Sequence, residues 1–345
     1  MPSVSEPPRA APAELRPLRG LALVERAGGS GLGALAVGFA AMMAAQWGAD
    51  VRVPARSPAV GEGAPPRLPD GSSALQRFLA RGKRPLAEGD DVPGAWLVTD
   101  DEAAVRAWPD ARTVLVRAGM AGEGGAPRPQ SELTVMAASG LLDIVAEADQ
   151  PPLPMPGHQV AYAAGLAALA GLTAAHAQVM LTGVAEPVTV SALDVAAWLN
   201  WKNRLSAVSG NRQTGRDRKE EWITVACRDG YIAVIFRDRD IPDMARLLGL
   251  EALDTPEFIQ EKSRVANLDE FHRLVAGALA RRGRDEVLAQ ADALGLQFSA
   301  VLDPAEMFGD PQMQARRFFA DEAGLTFPRL PVVWQALRAD GQDRA

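Results

Sequence analysis

The chain has 345 residues, 48% hydrophobic and 23% charged, enough for a full core and two domains. A formal net charge of −7 excludes the basic footprint of nonspecific nucleic-acid binding. One cysteine and three histidines exclude a disulfide framework, leave too few soft ligands for a zinc site, and suit a reducing, cytoplasmic setting.

In chain order, MPSVSEPPRAAPAELRPL lacks the apolar core of a signal peptide and reads as a flexible lead-in over residues 1–18. LALVERA (21–27) reads as a first strand, GGSGLG (28–33) as a tight glycine turn, residues 34–49 as a helix and DVRVPA (50–55) as a second strand. That is a β-α-β unit opening an α/β domain. A glycine turn at a helix start offers free N–H groups to a phosphate. Here Gly29, Gly31 and Gly33 depart from the dinucleotide spacing, and Arg56 stands where an acidic ribose partner belongs. Arg56 would suit a phosphorylated ribose, in NADP or in coenzyme A; the plainer alternative is a turn that packs helix on strand.

Residues 57–73 read as a Pro/Gly/Ser loop. The next stretch gathers Arg77, Arg81, Lys83 and Arg84, either as a solvated face or as a phosphate clamp. Two buried strands follow at 95–100 and 113–119, with a short helix between them and a glycine loop over 120–129. Residues 131–149 read as helix, with Ser131 as N-cap.

A Pro-rich lead (Pro151, Pro152, Pro154, Pro156) then opens onto an uncharged Ala/Gly/Leu helix pattern through Gly183. It is long enough to span a bilayer, but its Ala, Gly, His and Gln content predicts a buried helix of a soluble domain, not a membrane segment. Strand and helix follow over 188–205, a polar basic linker over 211–221, and a hairpin over 221–236 turning at Asp229-Gly230. Helices fill most of the stretch to 295, and 296–319 read as a strand followed by two helices.

Five segments in series resemble the class III CoA-transferase family, which includes formyl-CoA transferase and the α-methylacyl-CoA racemases. They are residues 18–53, ARGKRPL (80–86), ASGLL (138–142) with the proline pair and spaced-glycine helix after it, CRDGYIAV (227–234), and DPAEMFGDPQMQARRFF (303–319). The resemblance implies a Rossmann-like large domain formed by both chain ends, a smaller α+β domain between them, and an intertwined, interlocked-ring dimer. On that expectation residues 19–205 open the large domain, 206–295 hold linker and small domain, and 296–345 return to the large domain. It also implies a CoA thioester as ligand, with no tightly bound cofactor and no metal. Arg26, Ala27 and Gly28 would line the adenine and pantetheine path, Arg56 would contact the adenine nucleotide, and Lys83, with Arg81 beside it, would lie near the 3′-phosphate.

Two departures from the family stand out. The Asn-Phe-Arg-Pro-Gly segment of relatives has no match between Trp96 and Thr113. More consequentially, the aspartate that attacks the acyl-CoA in transferases, four residues before the helix glycine, is here Ala161, and no Asp or Glu occurs between Asp149 and Glu186. Covalent carboxylate catalysis needs that group. The histidine that pairs with it in racemases falls at Ser131, followed by Glu132. His158 is a candidate general base, or a polar residue capping the helix; Glu132 is a candidate replacement acid, or an exposed first-turn glutamate. His176, His272 and Cys227 read as structural. The sequence thus leads to an Asp-deficient subunit pairing with an aspartate-bearing paralogue, with altered thioester chemistry through His158, or a CoA-ester binding or scaffold protein, as alternatives. A homodimer remains the other assembly.

Overall fold

The computed structural model describes residues 16–28, 31–55, 57–110, 112–119, 130–145, 150–209 and 221–332. Expectations placed on Arg56, the 120–129 loop and the 211–220 linker fall outside them. The chain divides into two units, one of residues up to 216 and from 330, the other of residues 217–329.

In the first unit the elements are β1 (Ala22–Arg26), α1 (Leu32–Gln46), β2 (Asp50–Pro54), α2 (Ala74–Leu79), β3 (Arg84–Leu86), β4 (Trp96–Thr99), α3 (Glu102–Ala107), β5 (Thr113–Arg117), α4 (Glu132–Ala138), α5 (Gln159–Thr182), β6 (Val188–Ser191), α6 (Ala192–Leu199) and α7 (Trp201–Val208). The six strands form one parallel sheet in the order β3-β2-β1-β4-β5-β6. Strand order reverses direction between β1 and β4, the kind of point where open α/β sheets hold ligands.

Adjacent strand residues point to opposite faces. Leu23, Trp96, Val98, Val114 and Val116 enter the main core with α1 and α5. Val24 and Leu97 enter a smaller cluster with Ala104 of α3. Burial on both faces explains why β4 and the first four residues of β5 are buried throughout, a run of apolar residues and threonine without polar alternation.

Helix α1 is apolar all round and largely buried. The 24-residue α5 is long and apolar enough to cross a membrane by length and composition. It buries Val160, Ala161, Ala164, Gly165, Ala168, Leu169, Leu172 and Ala175 within the unit. Gly165 lets the two helices meet, because a Cβ there would lie 2.8 Å from the Ala36 carbonyl oxygen and 3.1 Å from Phe39 Cβ. Ser131 caps α4 as expected: its Oγ accepts from Thr134 N at 3.2 Å, while Thr134 Oγ1 accepts from Ser131 N at 2.9 Å.

The second unit contains β7 (Ile223–Cys227), β8 (Gly230–Ile235), α8 (Ile241–Leu248), α9 (Pro256–Ile259), α10 (Glu261–Ala266), α11 (Leu268–Leu279), α12 (Arg284–Ala293), β9 (Gln297–Val301), α13 (Glu306–Gly309), α14 (Pro311–Ala315), β10 (Phe319–Glu322) and β11 (Leu325–Pro328). The hairpin forms, but Gly230 pairs with Cys227 inside the ladder, so Arg228 and Asp229 make the turn. Strand β9 pairs antiparallel with β8. Residues 296–329, expected back in the large domain, therefore belong to this unit: β9 completes its three-stranded sheet, β10 and β11 form a separate antiparallel pair, and the return comes at Leu330. Ile232, Val234, Phe271, Val275, Leu279 and Val287 form a separate core. Beside it the buried Arg264 pairs with Glu221 and Asp238 at 2.9 and 2.6 Å and donates to the carbonyls of Phe258 and Ile259.

Candidate functional site

The start of α5 has no cap of its own. His158 occupies the N-cap position, but its side chain makes no capping bond. The first free N–H groups of the helix instead meet Glu132, 28 residues earlier on α4: Oε1 accepts from Val160 N at 2.5 Å and from Ala161 N at 3.4 Å. A carboxylate is favoured there because the N-terminal end of a helix carries positive partial charge. Thus a carboxylate from another helix meets the first turn of α5 beside Ala161. Glu132 was also readable as an exposed first-turn glutamate; its side chain is only 18% exposed, which removes that alternative.

The two oxygens of Glu132 differ. Oε2 is buried without a hydrogen-bond partner and lies 3.9 Å from His158 Nδ1. Burial pushes the Glu132 carboxyl above the usual carboxylate range, against the opposing pull of the Val160 and Ala161 N–H groups and of His158. Tyr162, one turn on from His158, sits edge-on to its ring at 6.2 Å and packs on Phe39 at 4.6 Å. Burial, with the charge of Glu132, raises the Tyr162 phenol. Sequence reasoning passed over Tyr162; only its place next to Ala161 could have flagged it. Ser131 is engaged in the α4 capping box and takes no part.

The second feature is a cleft of about 290 Å³ at the carboxyl ends of β1 and β2 and the start of β3, lined by Glu25, Val53, Pro54, Ala55, Ser57, Gln76 and Lys83 among others. Lys83, expected near the 3′-phosphate, lines this cleft, but it is not a free cation. Its side chain is 6% exposed, its Nζ lies 2.5 Å from Glu25 Oε2, and it donates to the Gly38 carbonyl at 2.9 Å. Burial pushes the Lys83 ammonium down and the Glu25 carboxyl up, each against the attraction of the other. Of the neighbouring cations, Arg77 pairs with Asp70 and Arg84 with Asp50. Arg81 is buried with its guanidinium over the Phe78 ring. The cluster therefore divides: Arg77 and Arg84 are exposed and paired with carboxylates, whereas Arg81 and the Lys83 side chain are buried.

Of the glycine turn, residues 29 and 30 lie outside the described residues, and Gly28 and Gly33 both meet Asp100. The Gly28 N–H donates to Asp100 Oδ1 at 2.6 Å, so it is not offered to a phosphate. A Cβ on Gly33 would stand 2.9 Å from Asp100 Cβ, which is why the turn needs glycine. Ala27 is buried, whereas Arg26 is exposed at the end of β1. Away from both features, Trp96 Nε1 donates to His176 Nδ1 at 3.3 Å, and burial lowers the His176 imidazolium. His272 contacts the Glu221 carbonyl oxygen at 3.3 Å. Cys227 donates to Asp229 Oδ1 at 3.6 Å.

Comparison with known proteins gives a consistent picture. A curated relative, succinate–glutarate CoA-transferase from Agrobacterium fabrum, is 24% identical over 211 residues, 58% of this chain and 53% of that protein, so the match spans about half of the relative's length. The fold is similar to that of a CAIB/BAIF family protein from Brucella suis, with a TM-score of 0.79 at 19% identity over 93% of each chain. It is also similar to Rv3272 from Mycobacterium tuberculosis, with a TM-score of 0.73 at 19% identity over 94% of this chain and 95% of that one. The family model described as CoA-transferase family III matches residues 114–344, and the chain belongs to that family.

Proposed function

We propose that this protein acts on CoA thioesters by proton transfer next to the thioester carbonyl, with Glu132 and His158 as the working pair. The observation that carries this is the Glu132 carboxylate on the first turn of α5, with one oxygen unpartnered and 3.9 Å from His158 Nδ1. Glu132 facing Nδ1 favours the tautomer with its proton there, leaving Nε2 as the acceptor. Nε2 takes the proton from the carbon beside the thioester carbonyl, the C–H electron pair moves into the enolate, and the proton is returned from the imidazolium. The 3.9 Å separation is longer than a hydrogen bond and closes in the loaded site, as catalytic contacts commonly do. The nucleotide end of the carrier occupies the cleft beside β1.

Incubating the pure protein with acyl-CoA in D₂O and reading deuterium at the α-carbon by mass spectrometry tests this. The wild type is expected to exchange, and Glu132→Gln and His158→Ala to lose about 10²-fold or more.

A second reading keeps the protein as an Asp-deficient subunit of a heteromeric CoA-transferase, or of an intertwined homodimer. The loss of the aspartate at Ala161 supports it, as does an exposed apolar set of Trp198, Trp201, Leu205 and Val208 on α6 and α7. Under that reading the isolated chain neither exchanges deuterium nor forms an acyl adduct, and turnover appears only with an aspartate-bearing paralogue.

A further inference from the structure

Tyr162 stands one turn along α5 from His158, so the two side chains share a face of the helix. Their rings meet edge to face, with centroids 6.2 Å apart and planes at 78°. The Tyr162 ring also packs on Phe39 of α1, 4.6 Å away. The half-buried phenol is thus held by the same α1–α5 contact that seats Gly165 against Ala36 and Phe39. Glu132 completes the group: its Oε2 lies 3.9 Å from His158 Nδ1, and its charge acts on the Tyr162 phenol. Three titratable side chains from two helices therefore gather at the start of α5.

Removing a proton beside a thioester carbonyl leaves negative charge on the carbonyl oxygen, and the rate gains from a donor fixed where that charge develops. At a helix start the donors would ordinarily be backbone N–H groups. Here Glu132 Oε1 accepts from Val160 N and Ala161 N, and Tyr162 N donates to the His158 carbonyl at 2.9 Å. The Tyr162 hydroxyl is a side-chain donor carried on the same turn. Burial, with the charge of Glu132, raises the phenol above its ordinary value, so it keeps its proton at neutral pH.

We propose that Tyr162 is a catalytic residue of this site, its hydroxyl donating a hydrogen bond to the thioester oxygen as the enolate forms. The proposal rests on the Glu132–His158 reading above. As the C–H bond breaks, His158 Nε2 takes the proton, the C–H electron pair forms the carbon–carbon double bond, and the carbonyl π pair moves onto oxygen. Tyr162 keeps its own proton throughout, and return of the proton from the imidazolium reverses each change.

The test is deuterium exchange into acetyl-CoA in D₂O by the full chain, measured for the wild type and for Tyr162→Phe. The substitution keeps a ring on Phe39 and His158 and removes only the hydroxyl. An interaction made in the transition state alone shows in kcat, which is expected to fall about 10²-fold with KM little changed. A kcat within about threefold of the wild type overturns the proposal and leaves the Glu132–His158 reading in place. A raised KM at unchanged kcat does the same. Absence of exchange by the wild type overturns both. Should Tyr162→Phe fail to fold, replacing Tyr162 by a difluorotyrosine keeps the hydroxyl but lets it ionise at lower pH. Exchange is then expected to be lost on the alkaline side at lower pH than in the wild type, and an unmoved alkaline limb overturns the proposal.

Discussion

Glu132 is a residue under opposed influences. The N-terminus of α5 favours its charged form, while burial disfavours it, and the net effect is a carboxyl held above its ordinary value. A carboxyl raised in the folded state stabilises the fold fully below its unfolded pKa, and that contribution is lost as pH rises through the raised value. Glu132→Gln keeps an oxygen for the Val160 N–H and removes the charge. Its melting temperature is therefore expected to gain on the wild type as pH goes from 4 to 7, by about 2–4 °C for each kcal/mol, while deuterium exchange falls. A gap that stays constant over that range would show that Glu132 carries no such burden. Restoring the family's aspartate with Ala161→Asp brings a second carboxylate into a buried position whose N–H already meets Glu132. The single variant is expected to lose stability, and Ala161→Asp on the Glu132→Gln background to lose less. Denaturant unfolding of the four proteins should yield a coupling of about 1–3 kcal/mol; additive losses would mean that the two carboxylates do not share a site.

At the scale of elements, α5 holds the site because it is locked onto α1. Gly165 and Gly171 both stand where a Cβ would meet a neighbour, but the neighbours differ. At Gly165 the obstacle is backbone, the Ala36 carbonyl oxygen, which cannot swing aside. At Gly171 it is Val188 Cγ1 at 2.7 Å, the end of a side chain. Gly165→Ala is therefore expected to cost about 1–3 kcal/mol as an overpacked contact, and Gly171→Ala distinctly less. Denaturation midpoints rank the two, and the reverse order would mean that the α1–α5 crossing is looser than these distances imply. The same crossing puts one face of this long uncharged helix into the core, because small Ala and Gly residues let its backbone approach α1 closely.

Over the whole molecule, each unit has a main core of its own, the first on the six-stranded sheet and the second on the three-stranded one. Arg264 belongs to the second, where two carboxylates and two carbonyls depend on it. Arg264→Ala leaves those groups unpaired and is expected to destabilise the 217–329 unit by about 3–5 kcal/mol. Calorimetry would show one component of the unfolding trace move to lower temperature while the other stays. Movement of both together would mean that the units unfold as one.

The opening β-α-β unit, the Ser131 cap, the hairpin, and the apolar character of α1 and α5 were legible in the sequence because each depends on neighbours a few residues apart. Family membership was legible as well, since it rests on the order of local segments, and the lack of any Asp or Glu between Asp149 and Glu186 is a matter of composition. Tertiary structure alone decided where charges end. It brought Glu132 to the first turn of α5 beside Ala161, buried Lys83 against Glu25 instead of exposing it, tied the Gly28 N–H to Asp100, and paired β9 with the second unit's hairpin while β10 and β11 made a sheet of their own. A side chain's chemistry is written in its residue type, but its partner, its burial and hence its charge state are set by chain segments that only folding brings together.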